Sequence, residues 1–120
     1  NAAYRGGGIY VERGFPTIRG NEFLCNLADS GAGLFLEKSG ADVDCNVFTR
    51  NDAHSLGGGI MLSDSNDDVD LIRKNKFQGN SADIGANIYH LPHDYRVQEM
   101  LEASNQVKPG ATTRELALKS

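Results

Sequence analysis

The chain has no tryptophan, two cysteines and three prolines, and aromatics make up only 8% of its 120 residues. Hydrophobic residues reach 39%, which is thin for the core of a helical bundle of this length. Two cysteines, Cys25 and Cys45, say little about redox state, and a disulfide between them is the alternative to free thiols. Two free, partly buried thiols are the expectation. Basic residues form no stripe: 12 Lys and Arg are scattered among 16 Asp and Glu, for a net charge of −4. A nucleic-acid partner is therefore not expected. No apolar run approaches the roughly 18 residues of a membrane span, so no transmembrane segment is expected either. No initiator methionine or secretory leader opens the sequence, and Asn1 reads as the start of a fragment, a processed product or part of a longer chain.

What the sequence has in quantity is glycine, 14 residues, and asparagine, in a pattern that repeats. Glycine-led clusters open at Gly6 (Gly6-Gly7-Gly8-Ile9-Tyr10-Val11), Gly31 (Gly31-Ala32-Gly33-Leu34-Phe35-Leu36), Gly57 (Gly57-Gly58-Gly59-Ile60-Met61-Leu62) and Gly85 (Gly85-Ala86-Asn87-Ile88-Tyr89-His90). They lie 25, 26 and 28 positions apart. A second motif, Asn-x-Phe-x-x-Asn-x-Ala, keeps the same period. It appears as Asn21, Phe23, Asn26 and Ala28, then as Asn46, Phe48, Asn51 and Ala53, then as Asn75, Phe77, Asn80 and Ala82. Asn1 and Ala3 form the end of a further copy, and Ile18, Val43 and Ile72 precede the three leading asparagines by three positions.

Each copy holds three short apolar runs bounded by Gly, Asn, Asp or Pro, as strands are, and none has a helical period. A unit of this length with three strands matches one turn of a parallel β-helix. The expected fold is all-β: a single-stranded, right-handed parallel β-helix of about three and a half coils over residues 1–90, with a partly helical or irregular tail over 91–120. In such a solenoid, like residues stack at strand spacing. Phe23, Phe48 and Phe77 should form one interior ladder, and Ile18, Val43 and Ile72 another. The asparagine columns, Asn21, Asn46 and Asn75 with Asn26, Asn51 and Asn80, should fill turns, because asparagine tolerates the left-handed conformation and its amide can bond to neighbouring coils. The glycines should permit a sharp corner. They are not a phosphate loop, since no helix follows them.

The paired motifs, Gly7-Gly8-Ile9-Tyr10 and Gly58-Gly59-Ile60-Met61 with Phe23-Leu24-Cys25-Asn26, Phe48-Thr49-Arg50-Asn51 and Phe77-Gln78-Gly79-Asn80, resemble the repeat of polymorphic outer-membrane proteins and related autotransporter passenger domains, within the pectate-lyase-like superfold. The resemblance covers about residues 1–90. It implies a secreted or cell-surface rod that acts as an adhesin or scaffold, with a protein or carbohydrate partner.

Candidate sites follow from strand alternation. Ile9 and Val11 point inward, so Tyr10, Phe35, Met61 and Tyr89 should make an exposed apolar ladder, a ligand or partner face. Glu12 and Glu37 follow on that face one coil apart. They are the weak candidates for acid–base chemistry, with Ser63 and Leu91 below them. Asp64, Asn66 and Asp68 have the alternate spacing of a calcium loop. Val69 stands where such a loop needs glycine and no glutamate closes it, so a solvated acidic loop is the better reading. Calcium is the one cofactor considered. His54, in an expected turn, His90, in an inward column, and His93 lack metal-ligand spacing.

In the tail, Pro92 and Asp94 should start a short helix with Val97, Met100 and Leu101 on one face, ended by Lys108-Pro109-Gly110. Thr112 and Glu115 have capping-box spacing for a second helix. The tail is then a cap or docking arm over the last coil. The first functional expectation is a non-enzymatic structural or adhesive module. The alternatives are a carbohydrate-active β-helix enzyme of polysaccharide lyase or epimerase type, and a subunit whose open coil ends pack on the rest of a longer β-helix or on another chain.

Overall fold

The structure, a computed structural model, describes residues 2–64, 71–91, 95–107 and 112–113. Every strand pairing within it is parallel, and each joins residues 25 to 31 positions apart. This repeat-on-repeat pairing is compatible with a parallel β-helix.

Four stacked sheets result, one more than the three runs per copy expected. The first joins β1 (Ala2–Arg5), β5 (Leu27–Ser30), β9 (Asp52–Leu56), β13 (Ser81–Ala82) and β16 (Thr112–Thr113). The second joins β2 (Ile9–Glu12), β6 (Leu34–Glu37), β10 (Ile60–Ser63) and β14 (Ile88–Leu91). The third joins β3 (Thr17–Arg19), β7 (Asp42–Asp44) and β11 (Ile72–Arg73). The fourth joins β4 (Glu22–Leu24), β8 (Val47–Thr49), β12 (Lys76–Gln78) and β15 (Gln106–Val107). The motif Asn-x-Phe-x-x-Asn-x-Ala therefore spans two faces, not one. Its phenylalanine lies in one strand, its alanine in the next, and its second asparagine at the corner between them.

The interior is laid out as ladders. Phe23 stacks on Phe48 with ring centroids 4.6 Å apart and planes 3° from parallel, and Phe48 stacks on Phe77 at 4.9 Å and 7°. Such pairs contribute about 0.5–1.5 kcal/mol beyond area burial. Ile18, Val43 and Ile72 line the third sheet, and Leu34, Ile60 and Ile88 the second. Ala28, Ala53 and Ala82 line the first. The third glycine of each cluster makes room for the phenylalanine ladder. A Cβ on Gly8, Gly33 or Gly59 would meet the ring of Phe23, Phe48 or Phe77 at 2.8, 2.8 and 2.9 Å. The first glycine of each cluster turns the corner, with φ of 60–67° at Gly6, Gly31, Gly57 and Gly85.

The asparagines do not themselves take the left-handed conformation. The residue before each one does: Gly20, Cys45 and Lys74 in one column, Cys25, Arg50 and Gly79 in the other, all at positive φ. This backbone twist frees the asparagine side chain to reach along the stack. Asn51 Oδ1 accepts from the backbone N–H of Asn26 at 3.1 Å, and Asn51 Nδ2 donates to Phe23 O at 2.9 Å. Asn46 and Asn75 repeat the arrangement in the other column. Each amide thus satisfies corner groups that β pairing leaves over, contributing about 0.5–1.5 kcal/mol net per bond.

The described part of the tail stays on the stack. Helix α1 (Tyr95–Ser104) lies against the third sheet where a further strand would stand, and Ser104 O accepts from Lys74 N at 2.7 Å. Leu101 is fully buried in the core and Val97 packs against it, but Met100, expected on the same face, is 43% exposed. β15 then pairs with β12, and β16 with β13. Thr112 and Thr113 are strand, so the second helix expected from Thr112 does not begin there; Glu115 lies outside the described residues.

Candidate functional site

Alternation along the second sheet places Tyr10, Phe35, Met61 and Tyr89 in one column and Glu12, Glu37, Ser63 and Leu91 in another, each in direct register. The first column is not the exposed apolar ladder expected. Phe35 and Met61 are buried, at 5% and 2% exposure, Tyr89 is intermediate, and only Tyr10 is open. The Tyr10 ring tilts over Phe35 at 5.4 Å, and its hydroxyl donates to Glu37 Oε1 at 2.8 Å. The structure therefore brings Glu12 and Glu37 side by side, with Glu37 held by a tyrosine.

The remaining candidates disperse. Asp64 is exposed with φ of 53°, continuing the corner column of Arg13 and Lys38, while Asn66 and Asp68 lie outside the described residues. His54 sits within β9 and not in a turn, and His90 is fully buried in β14; His93 is outside the described residues. Among the described residues no group of three or more His, Cys, Asp or Glu is placed to hold a metal ion. No helix among them is long and apolar enough to cross a membrane.

Both cysteines are free, but they are exposed and not partly buried, because each occupies a left-handed corner position that turns its side chain outward. Cys45 donates to Asp44 Oδ1 at 3.0 Å. This bond, with Arg19, Arg73 and Lys74 nearby and against the opposing effect of burial, lowers the Asp44 carboxyl below its usual range. The same bond raises the Cys45 thiol. Arg19 and Arg73 flank Asp44 in register on the outer face of the third sheet, with Arg19 Nε 3.9 Å from Asp44 Oδ2.

Sequence reasoning missed two features. Asn105 extends the first asparagine column by one more rung: its Oδ1 accepts from Asn75 N at 3.1 Å and its Nδ2 donates to Ile72 O at 3.1 Å. The signal was Asn105-x-Val107, with valine in the phenylalanine column. The second lies at the end of the stack formed by β2, β3 and β4, the outer strands of their sheets among the described residues; an open coil was expected there, a cavity was not. A cavity of about 430 Å³ opens there, lined by Gly8, Ile9, Asn21, Glu22, Phe23, Leu24 and Asn26. Leu24, which lines it, is exposed; Leu27, also exposed, lies on β5 and lines a second cavity with Ala28, Asp52 and His54. The signal was a difference between copies. Leu24 is followed in its column by Thr49 and Gln78, and Leu27 by Asp52 and Ser81.

Comparison with family models, with curated proteins and with solved structures finds no match to this chain.

Proposed function

We propose that the chain is a right-handed parallel β-helix, about three and a half coils over residues 1–90, serving as a non-enzymatic structural module of a secreted or cell-surface protein. The observation that carries this reading is the continuous phenylalanine stack from Phe23 through Phe48 to Phe77. It runs beside two asparagine ladders that spend their polar capacity on the chain's own corners. Right-handedness is supported by the rule for parallel crossovers, which are right-handed in about 98% of cases. Placement at a surface rests on the resemblance of the paired Gly-Gly-x-Ile and Phe-x-x-Asn motifs to passenger-domain repeats. An adhesive role would fall to side chains displayed on the outer faces, since the inner ones are committed to packing.

The test sets this reading against the carbohydrate-active alternative, for which the adjacent Glu12 and Glu37 are the only paired carboxylates in register on the second sheet. The chain is incubated with acidic polysaccharides, and ultraviolet absorbance is followed for unsaturated products. The expected result is no turnover above a denatured control. Turnover that disappears in Glu37→Gln would overturn the structural reading.

A further inference from the structure

We infer that the face formed by β11, β12 and the corner between them is an interaction surface for a sulfated polysaccharide strand, held through the cations Arg50, Arg73, Lys74 and Lys76. This deepens the reading of the chain as a surface structural module and rests on it.

Charge is spread unevenly over the molecule. The chain as a whole carries −4, yet the stretch from Leu71 to Gly79 holds Arg73, Lys74 and Lys76 and no acidic residue. All three cations are exposed, as is Gln78 at the end of β12. A fourth cation comes from the preceding repeat. Arg50 stands exposed at the corner after β8, and its Cγ would lie 3.4 Å from a Cβ on Gly79, so its side chain rests against the corner that follows β12. Neighbouring repeats stack at roughly 4.8 Å, which brings the four cations together on one side of the third repeat.

The fold does not require these charges. Lys74 shares its left-handed corner with Gly20 and Cys45. Lys76 follows Glu22 and Val47 in one column, and Gln78 follows Leu24 and Thr49 in another. Nor are the cations spent within the chain. Among the described residues Arg19 lies 3.9 Å from Asp44, whereas Arg50, Arg73, Lys74 and Lys76 make no ion pair. Asp44, in register with Arg73, is already held by the Cys45 thiol and faced by Arg19. Clustered cations without carboxylate partners raise the local concentration of anions.

Chemistry selects the occupant. The four cations fall within one short strand and the corners beside it, so the partner must carry several anionic groups over a short length. Sulfate esters on successive sugars provide that, and the hydroxyls of the same sugars suit the Gln78 amide. A narrow strand can lie on this face alone. A membrane or a duplex would extend beyond it to carboxylates elsewhere on a chain whose net charge is −4. Single-stranded nucleic acid binds by stacking its bases on aromatic rings, and none of the exposed large hydrophobics lies on β11 or β12.

Retention of the full chain on immobilised heparin, eluted with rising salt, tests the proposal. The chain should bind in dilute buffer and elute as salt screens the contacts. Lys74→Gly and Lys76→Val copy the residues that Gly20 and Val47 already provide in the same columns, so the fold tolerates them. Together they should weaken binding of a heparin oligosaccharide, followed by titration calorimetry, about tenfold or more. Arg13→Gly with Lys38→Gly removes the same charge from the corner that follows the second sheet and should change that affinity by less than about twofold. A chain that passes the column unretained, or equal losses in the two double variants, would overturn the proposal. So would tighter binding of single-stranded DNA or of phosphatidylserine vesicles, or equal binding of unsulfated hyaluronate. Polysaccharide turnover would overturn the structural reading and leave heparin retention standing, whereas an unretained chain would leave the structural reading standing.

Discussion

Single residues in this fold are judged by their column. Gly33 and Gly20 show the contrast. A methyl group on Gly33 would lie 2.6 Å from Gly59 O and 2.8 Å from Phe48 Cδ2, both fixed by the stack. On Gly20 it would meet nothing within 4 Å, and the same corner column already carries Cys45 and Lys74 at positive φ. Gly33→Ala should therefore cost about 2 kcal/mol or more through overpacking. Gly20→Ala should cost about 1 kcal/mol, the strain of a left-handed alanine. Urea titration of the two variants measures the difference, and equal losses would show that the ring contact at Gly33 relaxes freely. The left-handed corner positions were hidden in the sequence because their residue types vary: glycine, cysteine, lysine and arginine share the role. The asparagine that follows them is constant, and it drew the assignment to itself.

At the scale of elements, the strands carrying glycine clusters and phenylalanines were legible because the residue that fills each inner column recurs. The split of the long motif into two faces was not, since Phe and Ala are both inward and the corner between them is a single asparagine. Helix α1 was legible in type. Its place in the stack was not, because a helix has no residue in the Ile18–Val43–Ile72 column to align; Leu101 fills that space from a different backbone. Leu101→Ala should then cost about 2–5 kcal/mol, as a fully buried core leucine does. Met100→Ala, one position earlier and exposed, should stay within about 0.5 kcal/mol. Thermal melts of both variants check this; similar losses would mean that α1 packs through another face. Among the candidate site residues, alternation correctly set Glu12 beside Glu37. It missed the closure over Phe35 and Met61, which depends on neighbours remote in sequence.

For the whole molecule, the pH range of the fold is bracketed in part by one adjacent pair. Asp44 ionises more readily in the fold than in the unfolded chain, chiefly through the Cys45 thiol, so its ionised form stabilises the fold above the ordinary value of 3.8. That contribution is lost as pH falls through the lower folded-state value. Cys45 holds its proton more tightly in the fold. Its contribution is whole below the ordinary value of 9.0 and is lost as pH rises through the raised value. Asp44→Asn should flatten both flanks of a stability-against-pH curve followed by circular dichroism, and an unchanged acid flank would assign that flank to other carboxylates.

The repeats are unequal in length, and only a one-residue shift between Ala28 and Ser30, where β5 meets β9, falls within a sheet among the described residues. β6 and β10 are offset by 26 residues, but β7 and β11 by 29, so the three additional residues are absorbed between β10 and β11. On either side of that insertion the ladders resume column for column. Chain length between β10 and β11 is thus uncoupled from the ladders on either side. Foreign peptide could be spliced there for display while the ladders keep their alignment.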